Sequence, residues 1–191
     1  MKQRWTNDNK PSGFVNISIN DITYDASDSV KHNILKACNE CSYNGFLKNN
    51  EFALLLSANT GEPYDSCCLL EGTQDEVDIS EWVTLIETGQ PLSLIIVHNH
   101  TIDVIFSFDD LYTFLSHTSL KASIVTVGEA AYILEKTETS ICDWEIIEQS
   151  FTSHFPGADC FKTDSEWDIN KFADYWTKVL SEFNIDLRRW S

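Results

Sequence analysis

The apolar positions fall into short runs that switch between helical and strand periods. Val30, Ile34, Leu35, Ala37 and Cys38 keep helical spacing from about Asp28 to Leu47, and Asn49-Asn50 closes that stretch, which predicts a helix. Val15–Ile19 reads as a short strand ahead of it, preceded by a polar, flexible arm over residues 1–14 with Pro11-Ser12-Gly13 inside. Phe52–Leu56 and Ser66–Leu70 are apolar runs joined through Asn59-Thr60-Gly61-Glu62-Pro63, whose turn-forming residues predict a hairpin. Ser80 opens a helical pattern carrying Trp82, Leu85 and Ile86, and Leu92–Val97 is apolar enough for a buried strand. A second capped helix begins at Ser107, and Lys121–Val127 with Ala130–Leu134 make another hairpin around Gly128-Glu129.

This order (helix, two strands, helix, strand, helix, two strands) places the chain in the α/β (α+β) class, with a mixed central sheet flanked by helices. The character changes near Thr137. Residues 142–191 hold Trp144, Trp167, Trp176 and Trp190, and Trp167, Phe172, Trp176, Val179, Leu180 and Phe183 recur at helical spacing. The pattern predicts a core over residues 15–137 and a helical, aromatic-rich appendage over 138–191 that packs its stripe on the core. A partner-binding stripe is the alternative.

Composition narrows the function classes. Thirteen Lys+Arg against 30 Asp+Glu leave a formal charge of −17 on 191 residues, and the only arginines are Arg4, Arg188 and Arg189. A chain that grips phosphates needs clustered cations, so neither nucleic acid nor an anionic membrane surface is an expected partner; a basic protein partner or a neutral substrate suits the charge. At 42% apolar residues the chain is too hydrophobic for a disordered polyanion. No apolar run approaches the roughly 20 residues of a membrane span. The basic residues near Met1 are not followed by an apolar stretch, so a cytoplasmic location is expected, with export by a route that reads no amino-terminal signal left open.

Cysteines stand at 38, 41, 67, 68, 142 and 160. Cys38 and Cys41 would share one helix face, but a zinc site would need a second pair, and adjacent Cys67-Cys68 point to opposite faces of a strand. Small buried apolar side chains are the expectation, with a four-cysteine zinc site as the alternative.

The chemistry concentrates in Leu94-Ile-Ile-Val-His98-Asn99-His100, followed by Ser107-Phe-Asp-Asp110. A buried strand ending in histidines at i and i+2 aims both imidazoles to one side, at the strand end where open α/β sheets place ligands. A carboxylate in the first turn of the next helix could swing back to them. Two histidines and one carboxylate, His98, His100 and Asp110, form a catalytic zinc set with a fourth position open. Ser107-x-x-Asp110 is equally an ordinary capping box, with Asp110 serving only the helix amides. Asp109 is a rival ligand, though only Asp110 has the Ser-x-x-Asp spacing. His32, His117 and His154 have no partner pattern.

These residues resemble the motif of the JAB/MPN (JAMM) metalloproteases and their RadC-like bacterial and phage relatives: an upstream Glu, then His-x-His, a short loop and Ser-x-x-Asp. His98-Asn99-His100 matches the common His-Asn-His; six residues precede Ser107 where seven are usual, and Thr101 stands where Pro is frequent. The resemblance covers roughly Glu51 to Leu134. It implies a JAB/MPN-like (cytidine-deaminase-like) core, Zn2+ as cofactor, and hydrolysis of a peptide or isopeptide bond by metal-activated water. It further implies Glu51 as general base, with Glu62, Glu71 and Glu76 as rivals, and Ser107 as a donor to the oxyanion. The implied substrate is a protein or peptide, ubiquitin-like conjugates being among the family's substrates. The alternatives are a non-catalytic MPN-like interaction module, a toxin-like effector domain, and a RadC-like role on DNA that the −17 charge opposes.

Overall fold

The helical pattern after the amino-terminal arm forms α1 (Asp28–Lys48), capped by Ser27 and ended by Asn49 in the left-handed region. The computed structural model describes residues 14–102, 104–157, 160, 162–163 and 166–191, so all of the expected arm except Phe14 lies outside the described residues. Phe14 packs its ring on Tyr43 of α1 at 4.9 Å.

Among the described residues the strands are β1 (Phe52–Ser57), β2 (Leu70–Glu71), β3 (Leu94–Asn99), β4 (Leu120–Val127), β5 (Ala130–Lys136), β6 (Lys162–Thr163), β7 (Glu166–Trp167) and β8 (Ile185–Trp190). Six make one mixed sheet in the order β2-β1-β3-β4-β5-β8, in which only β3 and β4 run parallel; β6 and β7 pair separately. The remaining helices are α2 (Val83–Thr88), α3 (Phe108–Ser116), α4 (Trp144–His154) and α5 (Ile169–Ser181).

Both faces of the sheet are covered, so its central strands carry apolar residues on both sides, as the buried runs Phe52–Leu56 of β1 and Leu94–Val97 of β3 show. One face meets α1 through Ile34, Cys38 and Cys41 against Leu54, Ile95, Val97 and Ile124. The other meets Trp82, Leu111, Phe114, Ile147, Trp176 and Leu180 from the helical side against Leu55, Leu94 and Ile96.

Three expectations need correction. Val15–Ile19 forms no strand: Val15 and Ile17 are buried and the Asn16 N–H donates to the Glu129 carbonyl, but the sheet edge beside β5 is taken by β8. The return run Ser66–Leu70 pairs with β1 only at Leu70 and Glu71, with a lone bridge between Leu56 and Pro63. The segment over 138–191 is helical in α4 and α5, but Trp167 falls in β7 ahead of α5, and Ile185–Trp190 joins the main sheet through six paired residues. Of the expected stripe, Phe172, Trp176, Val179, Leu180 and Phe183 do pack on the core.

Candidate metal centre

Strand alternation builds the site. On β3, Leu94, Ile96 and His98 face the α3 side, while Ile95, Val97 and Asn99 face α1. His100 follows at the same parity as His98. Ala53 of β1 pairs with His98, and Glu51, two residues before Ala53, lies on that same side. On α3, Ser107 is the N-cap and Asp110 sits in the first turn, three residues on. The six-residue connection from His100 to Ser107 is long enough to bring Asp110 over the histidines.

Three donor groups converge. His98 Nε2 and His100 Nε2 are 3.2 Å apart. Asp110 Oδ1 is 3.4 Å from His98 Nε2, and Asp110 Oδ2 is 3.3 Å from His100 Nε2. Each imidazole thus faces a different oxygen of Asp110, at separations near the roughly 3.3–3.4 Å donor–donor edge of a tetrahedral zinc, and one ligand atom from each residue lies within 4.8 Å of the other two. His100 Nδ1 lies 2.7 Å from the Val104 carbonyl, which can only accept; the proton is therefore on Nδ1, and Nε2 presents its lone pair to the other two groups. Among the described residues, His98, His100 and Asp110 are the one such group that could hold an ion.

The capping box is present as well. Asp110 Oδ2 accepts from the Ser107 N–H and hydroxyl, both at 2.7 Å, and the Asp110 N–H donates to Ser107 Oγ at 3.0 Å. A carboxylate with two oxygens serves both purposes, and the cap fixes its orientation toward the imidazoles. The Ser107 proton is thereby directed at Asp110.

The electrostatics follow from burial and crowding. Burial pushes Glu51 up to about 7 against the pull of His100, with Asp110, Asp75 and Glu76 adding to the rise. Asp110 is held well below the usual carboxylate range because its two histidine neighbours outweigh burial. Burial works against a charged His100, yet Asp110 and Glu51 overcome it and raise its affinity for a proton. Glu51 Oε1 stands 3.9 Å from His100 Nε2, with its side chain 8% exposed.

A cavity of about 350 Å³ opens over these groups, lined by Glu51, His98, His100, Ser107 and Asp110 with Asp75, Glu76 and Asp109. Of the rival residues, Asp109 is exposed on its wall and Glu76 lies on its rim. Glu71 is instead paired with Lys48 at 2.5 Å, and Glu62 does not line the cavity. His32, His117 and His154 bond to backbone carbonyls of their own helices, at Asp28, Thr113 and Ser150. The cysteines form no cluster with metal-ligand spacing among the described residues; Cys38 and Cys41 are buried, and burial pushes the Cys38 thiol up to about 12.

Sequence reasoning missed the groups that hold the site in place. Asn99, on the opposite face from the histidines, accepts from the Phe52 N–H at 2.8 Å and donates to the Asn50 carbonyl at 3.2 Å, bracketing Glu51 from both sides. Glu51's own backbone pairs with the Thr73 carbonyl and the Gly72 N–H. Phe106 sets its ring edge-on to His98 at 6.2 Å and stacks on Trp176 of α5 at 6.4 Å, so the carboxy-terminal helix supports the floor of the site. Parity alone would have put Asn99 behind the site; the loop carrying Thr73 to Glu76 has no apolar pattern to reveal it.

Comparison with protein-family models, with curated proteins and with solved structures finds no match to this chain. No helix among the described residues is long and apolar enough to cross a membrane.

Proposed function

We propose that this protein is a zinc-dependent hydrolase of the JAB/MPN (JAMM) type that cleaves a peptide or isopeptide bond. The observation that carries the reading is the convergence of His98, His100 and Asp110, with one ligand atom from each within 4.8 Å of the others, at the wall of a cavity that Glu51 also lines. Two imidazoles and a carboxylate, with the His100 tautomer set by the Val104 carbonyl, are the donor set of a three-ligand zinc site with an open fourth position. Zinc, when bound, supplies Lewis acidity toward a water and toward the substrate carbonyl.

The chain's own groups divide the remaining work. His98, His100 and Asp110 hold the ion. Glu51 is the proton carrier: with its carboxyl pushed up to about 7 it can take a proton from the attacking water and return it to the leaving amine near neutral pH. Because the Ser107 proton is directed at Asp110, Ser107 acts first as the residue that orients a ligand; donation to an oxyanion requires its hydroxyl to rotate away from Asp110. The proposed substrate is a peptide or protein.

Metal analysis of untagged protein tests the reading. About one zinc per chain is expected in the wild type and none in His98→Ala/His100→Ala. Glu51→Gln should keep the zinc and lose turnover in a peptidase screen. Failure of the wild type to take up zinc on reconstitution would overturn the proposal. The complete capping box favours one second reading, a non-catalytic MPN-like interaction module in which Asp110 serves only α3; it predicts that outcome.

A further inference from the structure

The cavity over the three ligands combines two linings. Val77, Ile79, Ile102 and Val104 give it apolar walls, and Asp75, Glu76 and Asp109 place three exposed carboxylates around its mouth. Among the described residues, no lysine or arginine lines it. None of the three carboxylates makes an ion pair among the described residues, and Lys48, which reaches toward this end of the sheet, is already paired with Glu71. The buried carboxylate of Glu51 also faces the cavity, its closest charged partner being His100 at 3.9 Å.

A bound divalent ion does not cancel this field. Its two positive charges are offset by Asp110 and Glu51, and the three rim carboxylates remain uncompensated. An apolar channel ending in uncompensated negative charge complements one kind of group: an aliphatic stem with a cationic head, as in lysine and arginine. We infer that the cavity selects substrates carrying a lysine or arginine side chain beside the bond to be cleaved, an inference that rests on the zinc-hydrolase reading and assigns its substrate class. The rim is built by segments held firmly in place. Thr73 and Gly72 pair with the Glu51 backbone, the Thr101 hydroxyl donates to the Gln74 carbonyl at 2.8 Å, and Asp109 is fixed in the first turn of α3.

The test uses zinc-loaded, full-length protein and three probes that differ only in side chain: the Nα-acetyl hydroxamates of lysine, norleucine and glutamate. The hydroxamate anchors on the metal while the side chain samples the cavity, and calorimetry reads the dissociation constants, with zinc content measured on the same samples. The lysine compound should bind about tenfold more tightly than norleucine and more tightly still than glutamate, with the margin shrinking at high salt. In Asp75→Asn/Glu76→Gln/Asp109→Asn the preference for lysine over norleucine should fall to about twofold or less. A remote triple with the same charge change, Glu87→Gln/Glu138→Gln/Glu145→Gln, should keep it, which separates the cavity from the general field of a −17 chain. Equal binding of the three probes, or equal loss of preference in both triples, would overturn the charge selection while leaving the zinc site intact. Absence of zinc with no binding of any hydroxamate would overturn both.

Discussion

Gly45 and Asn99 offer the sharpest check on how the site is held together. A Cβ built on Gly45 of α1 would stand 2.3 Å from Asn99 Nδ2 and 2.7 Å from its Cγ. Asn99 is 4% exposed and cannot move aside without releasing the Phe52 N–H or the Asn50 carbonyl. Gly45→Ala therefore sets two effects against each other. Helix propensity favours alanine by about 1 kcal/mol. Overpacking costs about 2 kcal/mol and the loss of one Asn99 hydrogen bond about 1 kcal/mol, so the clash wins by about 2 kcal/mol. For a chain of this size that lowers Tm by roughly 4–8 °C. In an Asn99→Ala background the obstacle is gone and Gly45→Ala should gain up to about 1 kcal/mol, giving a coupling of about 3 kcal/mol between the two positions. Urea unfolding of the wild type, the two single variants and the double variant, compared at constant slope, measures it. A Gly45→Ala variant as stable as the wild type, or additivity across the cycle, would refute the claim that Asn99 is wedged between α1 and the Glu51 segment.

Other expectations are as direct. Lys136 is 2% exposed, donates to the Phe114 and His117 carbonyls at 2.5 and 2.6 Å, and is pulled down by burial to about 8 from 10.5. Between those two values the unfolded chain holds the extra proton, so the lysine's contribution to stability rises with pH from about 8 to about 10.5. The wild-type urea midpoint should accordingly gain on that of Lys136→Met between pH 7 and pH 9.5; a flat or falling difference contradicts it. Ser107→Ala removes the cap of α3 at a cost of about 1 kcal/mol and frees Asp110, so chelator competition should show zinc affinity about tenfold weaker. Unchanged affinity would mean that Ser107 does not orient the ligand. Deleting residues 185–191 uncovers the outer edge of β5 and the apolar surface under Ile185 and Leu187, and should shift the protein from its native elution volume to aggregates, whereas Asp186→Ala should not.

The legible parts of the sequence were those where one physical requirement dominates. Leu94–Val97 reads as a buried strand because both faces of the sheet are covered, and Ser107 reads as a cap because Asp110 follows at the right spacing. His98 and His100 were legible as a pair because strand parity is the same from any vantage. The sequence hides β8 because Asp186, Arg188 and Arg189 break the apolar pattern, as charges on an edge strand commonly do; Arg188 pairs with Glu135 there. Val15–Ile19 has the alternation of a strand and buries Val15 and Ile17, yet the neighbouring edge that would hydrogen-bond it belongs to a segment about 170 residues later. Asn99 was read only as the residue between two histidines, since nothing local reveals that it faces a glycine on α1.

The placing of β8 also bears on how the chain reaches its fold. The β5 edge is complete only when residues 185–190 return to it across α4 and α5, a pairing between segments about 50 residues apart. Loop closure of that length must precede the pairing that compensates it, so the sheet acquires its last strand late. Until then β5 presents a row of unpaired backbone groups beside an uncovered apolar face, a template that a second molecule could occupy in place of β8. The strand that completes the sheet is thus also the step at which productive folding and intermolecular pairing compete, and the balance between them is set by protein concentration.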